Sequence, residues 1–389
     1  MLYWLDSRTK FPTLKRDVRA DVAVIGAGIT GASVCYWLGG KCKSVLLESD
    51  TVASKASGRN AGFILTGTSD YYNKAIERYG HRKAREIWKL TQENHDLLEK
   101  HISRNRIECE YNRSGSYLVA SSNREMDDIT ESVSLLKRDG FNYKLIGENE
   151  KNKILSSSSF HGAAFNSFDG EVNPAKLVSG LVKIASNNCT HVFENTRVAR
   201  IERKNELFIV KTRTGTVTSD YVVLATNAYT PLICPYFTDM IKPVRGQILL
   251  TEPYKEKLSG VFYANYGYEY WRQLPSGRIL VGGCRDVDAA RETGYRMITT
   301  KKIQKKLEDL LHKLSIESKV AYRWSGIMGF TKDQLPLIGS MPSTKNLLIS
   351  AGYSGHGLGF SFIAGRMISE KILLRRDFIS LFGLHDHCQ

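Results

Sequence analysis

One stretch constrains this chain more than any other: ADVAVIGAGITGASVCYWLGGKCKSVLLE at residues 20–48. An apolar run, Asp21–Ile25, enters Gly26-Ala27-Gly28-Ile29-Thr30-Gly31, a helical pattern continues to about Leu38, and a second apolar run, Ser44–Leu47, ends at Glu48. Strand, glycine turn, helix, strand and carboxylate in that order are what dinucleotide binding needs. Gly26 permits the tight turn, Gly28 a close approach of backbone to pyrophosphate, and Gly31 close packing of helix on strand. The helix start at Ile29 and Thr30 offers free N–H groups and a positive dipole end to the phosphates. Glu48, followed by Ser49, lies 17 residues after Gly31, where a carboxylate accepts both ribose hydroxyl protons. An acidic residue there disfavours a 2′-phosphate.

Three later segments favour FAD over a nicotinamide nucleotide. The loop after Glu48 includes Ser57, Gly58, Arg59, Asn60, Ala61 and Gly62. It is rich in small residues and suited to run close to a flat ligand. A buried strand from Asp220 ends in Ala225-Thr226-Asn227-Ala228, where small residues let a nucleotide pass over the sheet. A third strand enters Gly352-Tyr-Ser-Gly355-His356-Gly357-Leu358-Gly359 and then a helix. Four glycines in eight residues leave the loop amides unobstructed, and amides aimed at a flavin's pyrimidine edge stabilise the negative charge of reduced flavin.

In these segments, and in YWLDS, DGEVNPAKLVSGL, YWRQLPSGRILVGG and TKDQLPLIG, the chain resembles the D-amino-acid-oxidase-like superfamily of FAD-dependent oxidoreductases over nearly its whole length. ASGRNAG with GYSGHG is most similar to the γ-glutamylputrescine oxidoreductase and sarcosine oxidase branch. The resemblance implies an α/β fold, with a discontinuous Rossmann-like FAD-binding domain (1–82, 150–240 and 325–389). Interleaved with it is an antiparallel-sheet α+β substrate domain (83–149 and 241–324). It also implies that Val198 holds the adenine, and that an amine C–H alpha to nitrogen gives hydride to flavin N5, the imine then hydrolysing. The residues agree with such a layout. Residues 244–250 and 278–283 read as strands, 71–103 and 300–314 as amphipathic helices, and Asn173-Pro174 as the cap of a further helix to about Ala185.

Departures from the family pattern narrow the substrate. Met328 stands where glycine and D-amino-acid oxidases carry a carboxylate-binding arginine. Gly359 stands where sarcosine oxidases carry a lysine, and Leu280 where they carry the lysine that promotes reaction with oxygen. Gly326 replaces their flavin-tethering cysteine, so FAD is expected to be non-covalent. A polyamine derivative, a secondary amine or an amino-acid-like amine fits this pattern, with oxygen or a quinone or other carrier as electron acceptor. Candidate substrate-side residues are Arg272 for a remote carboxylate, Tyr268 and Tyr270 as aromatic walls on one strand face, and His356 for loop geometry beside the flavin or as a base.

The 389 residues carry 55 basic and 40 acidic side chains, a net charge of +15. The excess is scattered, so it reads as solvated helix faces, and nucleic acid is an unlikely partner. Seven cysteines contain no CxxC pair, His161, His191, His385 and His387 lack ligand spacing, and no metal site is expected. With no apolar h-region and no run long enough to span a bilayer, a reduced, cytoplasmic protein is expected, with oligomerisation left open. The alternatives are a partner-dependent FAD subunit of a dehydrogenase complex, which the missing substrate anchors suggest, and an FAD enzyme of modified tRNA, which the charge suggests.

Overall fold

The computed structural model describes residues 3–5, 9–147, 150, 154, 159–382 and 384. Cys388, His385 and His387 lie outside the described residues. The segment 20–48 forms the strand Val18–Ile25, the helix Ile29–Leu38 and the strand Ser44–Leu47. The first strand is central because its residues from Val22 to Ile25 are apolar and buried on both faces, as parallel strands covered by helices must be. It pairs in parallel with Ser44–Leu47 on one side and Thr216–Leu224 on the other. The sheet continues in parallel to Thr190–Phe193 at one end and Thr344–Ala351 at the other, and Leu337–Met341 closes it antiparallel. Val198–Lys204 and Leu207–Thr212 extend it as an antiparallel arm paired to the start of Thr216–Leu224.

Three helices cover one face: Ile29–Leu38, Pro174–Asn187 and Gly357–Leu374. The first is apolar nearly all round, because it is sandwiched between the other two. Close approach is built in: a Cβ on Gly365 would lie 2.6 Å from the Ser33 Cβ. Asn173 caps Pro174–Asn187 by accepting the Lys176 N–H at 3.1 Å, the Asn-Pro start that the sequence predicts.

The second sheet runs Val320–Phe330, Lys242–Pro253, Arg278–Gly283, Glu269–Gln273, Val261–Ala264, Ser116–Ala120, Gly162–Asn166, Tyr143–Ile146. All its pairings are antiparallel except that of Val261–Ala264 with Ser116–Ala120. Gly162–Asn166, inside a stretch that the family resemblance places in the FAD-binding domain, pairs in this second sheet. Val320–Phe330, which the domain bounds implied by the resemblance divide at 325, is one edge strand. The helix expected over 71–103 is two, Tyr72–Tyr79 and His81–Asn105, with Gly80 at φ +80° between them. The longer one packs on the last helix, where Asn94 donates to the Leu358 carbonyl and accepts the Ile363 N–H. Among the described residues no helix is long and apolar enough to cross a membrane.

Candidate active site

A cavity of about 510 Å³ runs between the two sheets. One end is formed by the carboxyl edge of the parallel sheet. Gly26, Gly28, Ile29 and Thr30 line it, with Glu48, Ser49, Val198, Ala225, Thr226 and Asn227. The Gly26 turn has φ +102°, and a Cβ there would lie 2.7 Å from the Ala225 carbonyl oxygen. Glu48 is 6% exposed. Its carboxylate accepts the Ala27 N–H at 2.8 Å, the Asp50 N–H at 3.0 Å and the Ser49 hydroxyl at 3.0 Å. Burial raises its pKa, and those hydrogen bonds oppose the rise. Gly28 makes room for Ser57, whose hydroxyl oxygen would lie 2.8 Å from a Cβ and accepts the Ile29 N–H at 2.9 Å. The small-residue loop is thereby fastened to the helix start.

The middle of the cavity is walled by Ser57, Arg59, Asn60, Ala61 and Gly62 on one side and by Gly326, Gly355, His356, Gly357, Leu358 and Gly359 on the other. Arg59 donates to the carbonyls of Ser54 at 2.7 Å and Ser325 at 3.0 Å, so its guanidinium ties the loop to the second sheet. His356 precedes the helix Gly357–Leu374, whose first amides have no intrahelical acceptor. Among the described residues, two buried polar atoms on the cavity lack a hydrogen-bond partner, the Tyr229 hydroxyl and the His356 Nδ1. Burial, opposed by a hydrogen bond to the Ser354 backbone and aided by the charge of Arg285, pushes the His356 pKa down to about 4. The imidazole is therefore neutral at physiological pH, and any proton it moves must be one it first accepts. Free imidazole titrates near pH 6.5, so the rate of flavin reduction should show no inflection there attributable to this residue. A step near 6.5 that vanishes in His356→Gln would contradict this.

The far end is a chamber of Phe63, Tyr263, Tyr270, Met328, Phe330 and Arg285. Of the sequence candidates, Tyr270 and His356 reach the cavity and two do not. Arg272 is 1% exposed, pairs with Glu171 at 3.0 Å and donates to the Val172 carbonyl at 2.9 Å. It is a structural arginine tying Glu171 and Val172 to the second sheet, not a free substrate anchor. Tyr268 falls before the strand Glu269–Gln273, at a corner where its carbonyl accepts the Cys284 N–H, and it carries Arg285 over its ring at 4.5 Å. Gly31 and Gly58 do not line the cavity either. Gly31 serves packing, since a Cβ would meet the Gly26 carbonyl oxygen at 1.9 Å, and Gly58 closes the turn Ala56–Gly58. Leu280 is fully buried in the strand core, away from the chamber.

Residues that the sequence reading missed are Tyr229, Tyr263, Arg285 and the glycines Gly246, Gly267 and Gly283, all on the cavity wall. The Gly-Gly ending of Arg278–Gly283 was the available signal for Arg285. It turns the chain at Gly283 (φ +115°) and Cys284 (φ +56°), and the next side chain is thrown into the cavity. The loop that follows is clamped. Arg245 and Glu292, both buried, pair at 2.7 Å, and Arg245 also donates to the carbonyls of Arg291 and Arg296. Gln247 and Thr300 complete the network on Glu292.

These residues fit FAD. Glu48 would hold the ribose, the glycine turn and helix start would hold the phosphates, and the glycine-walled space would receive the flat ring, with the Tyr229 hydroxyl and His356 Nδ1 left on the wall without partners. Gly326 offers no sulfur for a covalent tether. Among the described residues no group of acidic, histidine or cysteine side chains forms a metal site.

Comparison with known proteins agrees. The family described as "DAO: FAD dependent oxidoreductase" matches residues 21–371. The chain is 30% identical to a probable oxidoreductase, OrdL, of Haemophilus influenzae, over 98% of this chain and 90% of that one. It is 29% identical to the gamma-glutamylputrescine oxidoreductase of Escherichia coli, over 94% and 86%. The crystal structure of glycine oxidase from Geobacillus kaustophilus superposes with a TM-score of 0.80 at 20% identity, covering 95% of this chain and 100% of that one. The chain belongs to the DAO family of FAD-dependent oxidoreductases, which act on amines and amino acids.

Proposed function

We propose that this protein oxidises the C–H alpha to nitrogen of an amine in the chamber of Phe63, Tyr263, Tyr270, Met328 and Phe330. The substrate would be a polyamine derivative, a secondary amine or an amino-acid-like amine. The observation that carries the reading is the continuity of this aromatic chamber with the glycine-walled channel beside His356 and the last helix. FAD, when bound, supplies the acceptor for the hydride. The resulting imine takes up water and releases a carbonyl compound and an amine or ammonia.

The chain's own work is to bind, orient and exclude water. The tyrosine and phenylalanine faces attract the amine as it enters in its cationic form. Burial raises the Tyr263 hydroxyl pKa to about 12, so it stays protonated and acts as a hydrogen-bond donor, not as a base. With FAD bound, the amides opening the last helix would stabilise the negative charge of its reduced form. Relatives that act on gamma-glutamylputrescine and glycine support the amine class.

The test is the visible spectrum of the anaerobic holoprotein during addition of polyamines, γ-glutamylputrescine, N-methyl amino acids and D-amino acids. Bleaching of the flavin band by one class is the expected result, and admission of air then separates oxidase from dehydrogenase. A flavin that no amine bleaches would contradict the proposal and favour a partner-dependent subunit.

A further inference from the structure

We infer that Arg285 is the anion-recognition residue of the chamber, so that the amine oxidised also carries a carboxylate; this rests on the amine-oxidation reading above. Four other arginines of the second sheet have carboxylate partners: Arg245 with Glu292, Arg272 with Glu171, Arg278 with Glu252 and Arg323 with Glu308. Arg285 alone of these faces the cavity, and among the described residues no carboxylate pairs with it. Its neighbour Asp288 is engaged by Arg291 and Lys302, and Glu269 across the corner by Lys313.

The guanidinium is instead held by faces. It lies 4.5 Å from the ring centre of Tyr268 and 5.2 Å from that of Phe330. Ring contacts of this kind steady the guanidinium plane and leave its in-plane N–H fork unspent, the geometry that takes a carboxylate through two parallel hydrogen bonds. Its charge acts on Tyr263, Tyr270 and His356, which places it at the substrate end of the cavity. The phosphate end lies with Gly26–Thr30. A partly desolvated cation among aromatic walls discriminates strongly, because a neutral ligand leaves its donors unpaired.

The placement alters what Met328 implies. The carboxylate anchor is not lost from this chain but is carried by a different element, the corner after Arg278–Gly283. The glycine–cysteine turn and the Arg245–Glu292 clamp fix that corner's position.

The experiment titrates the FAD-loaded protein with glutarate and with its neutral diamide, following the flavin absorption spectrum. It then compares anaerobic reduction by a carboxylate-bearing amine and by its amide. In the wild type the carboxylate should perturb the spectrum saturably and the diamide should not. Arg285→Gln should weaken glutarate binding roughly 10–100-fold, the worth of a charge-assisted pair, and erase the preference between the two amines. Arg285→Lys should fall between. Equal responses to glutarate and diamide in the wild type would overturn the inference. So would unchanged discrimination in Arg285→Gln, or loss of FAD from both variants, which would assign the arginine to the cofactor. Glutarate binding at Arg285 in a protein that no amine reduces would defeat the amine reading alone.

Discussion

Gly31→Ala should yield a protein that is purified with little or no FAD and melts several degrees below the wild type. A Cβ at this position would lie 1.9 Å from the Gly26 carbonyl oxygen and 3.4 Å from Leu46. Neither side can give. Gly26 is held at φ +102° with its own missing side chain against the Ala225 carbonyl, and Leu46 is a fully buried residue of the neighbouring strand. Overpacking backbone on backbone in a filled core costs about 1–3 kcal/mol or more. Relief by sliding the helix Ile29–Leu38 would carry its amino end, and the Ser57 hydrogen bond to Ile29, out of register with the glycine turn. Gly39→Ala is the control. It ends the same helix at φ +54°, has nothing closer than 3.5 Å, and lies away from the cavity. It should cost about 1 kcal/mol and leave the flavin content unchanged. The ratio of flavin to protein absorbance, with thermal melts, reads both. A Gly31→Ala protein with full flavin content would overturn the packing argument.

The second large effect is expected from Glu292→Ala. It leaves Arg245 buried without its carboxylate and removes the acceptor of Gln247 and Thr300. Breaking one half of a buried pair costs about 3–5 kcal/mol. The loss should appear as a lowered melting temperature. Because the same network grips the carbonyls of Arg291 and Arg296, the KM for substrate should also rise more than kcat falls, as the corner bearing Arg285 loses its fixed position. The double variant Arg245→Met/Glu292→Met separates the two consequences. Removing both charges should restore part of the stability, while the loop carbonyls stay ungripped and KM stays high. Full recovery of KM in the double variant, or a single variant that melts like the wild type, would show that the clamp does not position the corner.

Much of this was legible in the residues, for stated reasons. Ser44–Leu47 and Arg278–Gly283 occur as strands at the bounds their apolar runs suggest. The helix read over 300–314 is Lys301–Lys313. Glycine-rich motifs located the cavity because they specify backbone shape, which is local.

What the sequence did not show was depth along a strand. Tyr270 and Arg272 share one face of Glu269–Gln273, yet the cavity reaches only the first, and Glu171, from the short strand paired with Phe63–Ile64, closes over the second. That ion pair joins residues a hundred positions apart and leaves no local trace. Arg285 was overlooked for the converse reason. Its identity is ordinary, and only the left-handed turn at Gly283 and Cys284 gives it a direction.

The order of strands in the parallel sheet also sets how the chain must fold. Val18–Ile25 finds its partner in Thr216–Leu224, and that strand in turn finds Thr344–Ala351. Pairings this distant in sequence demand loop closure before they are rewarded, which slows folding. The nucleotide motif therefore precedes the strands it needs, and its cleft exists only once Thr216–Leu224 and Thr344–Ala351 have joined the sheet. A ligand held by that cleft has its site only in the assembled sheet, and it stabilises the folded chain by mass action.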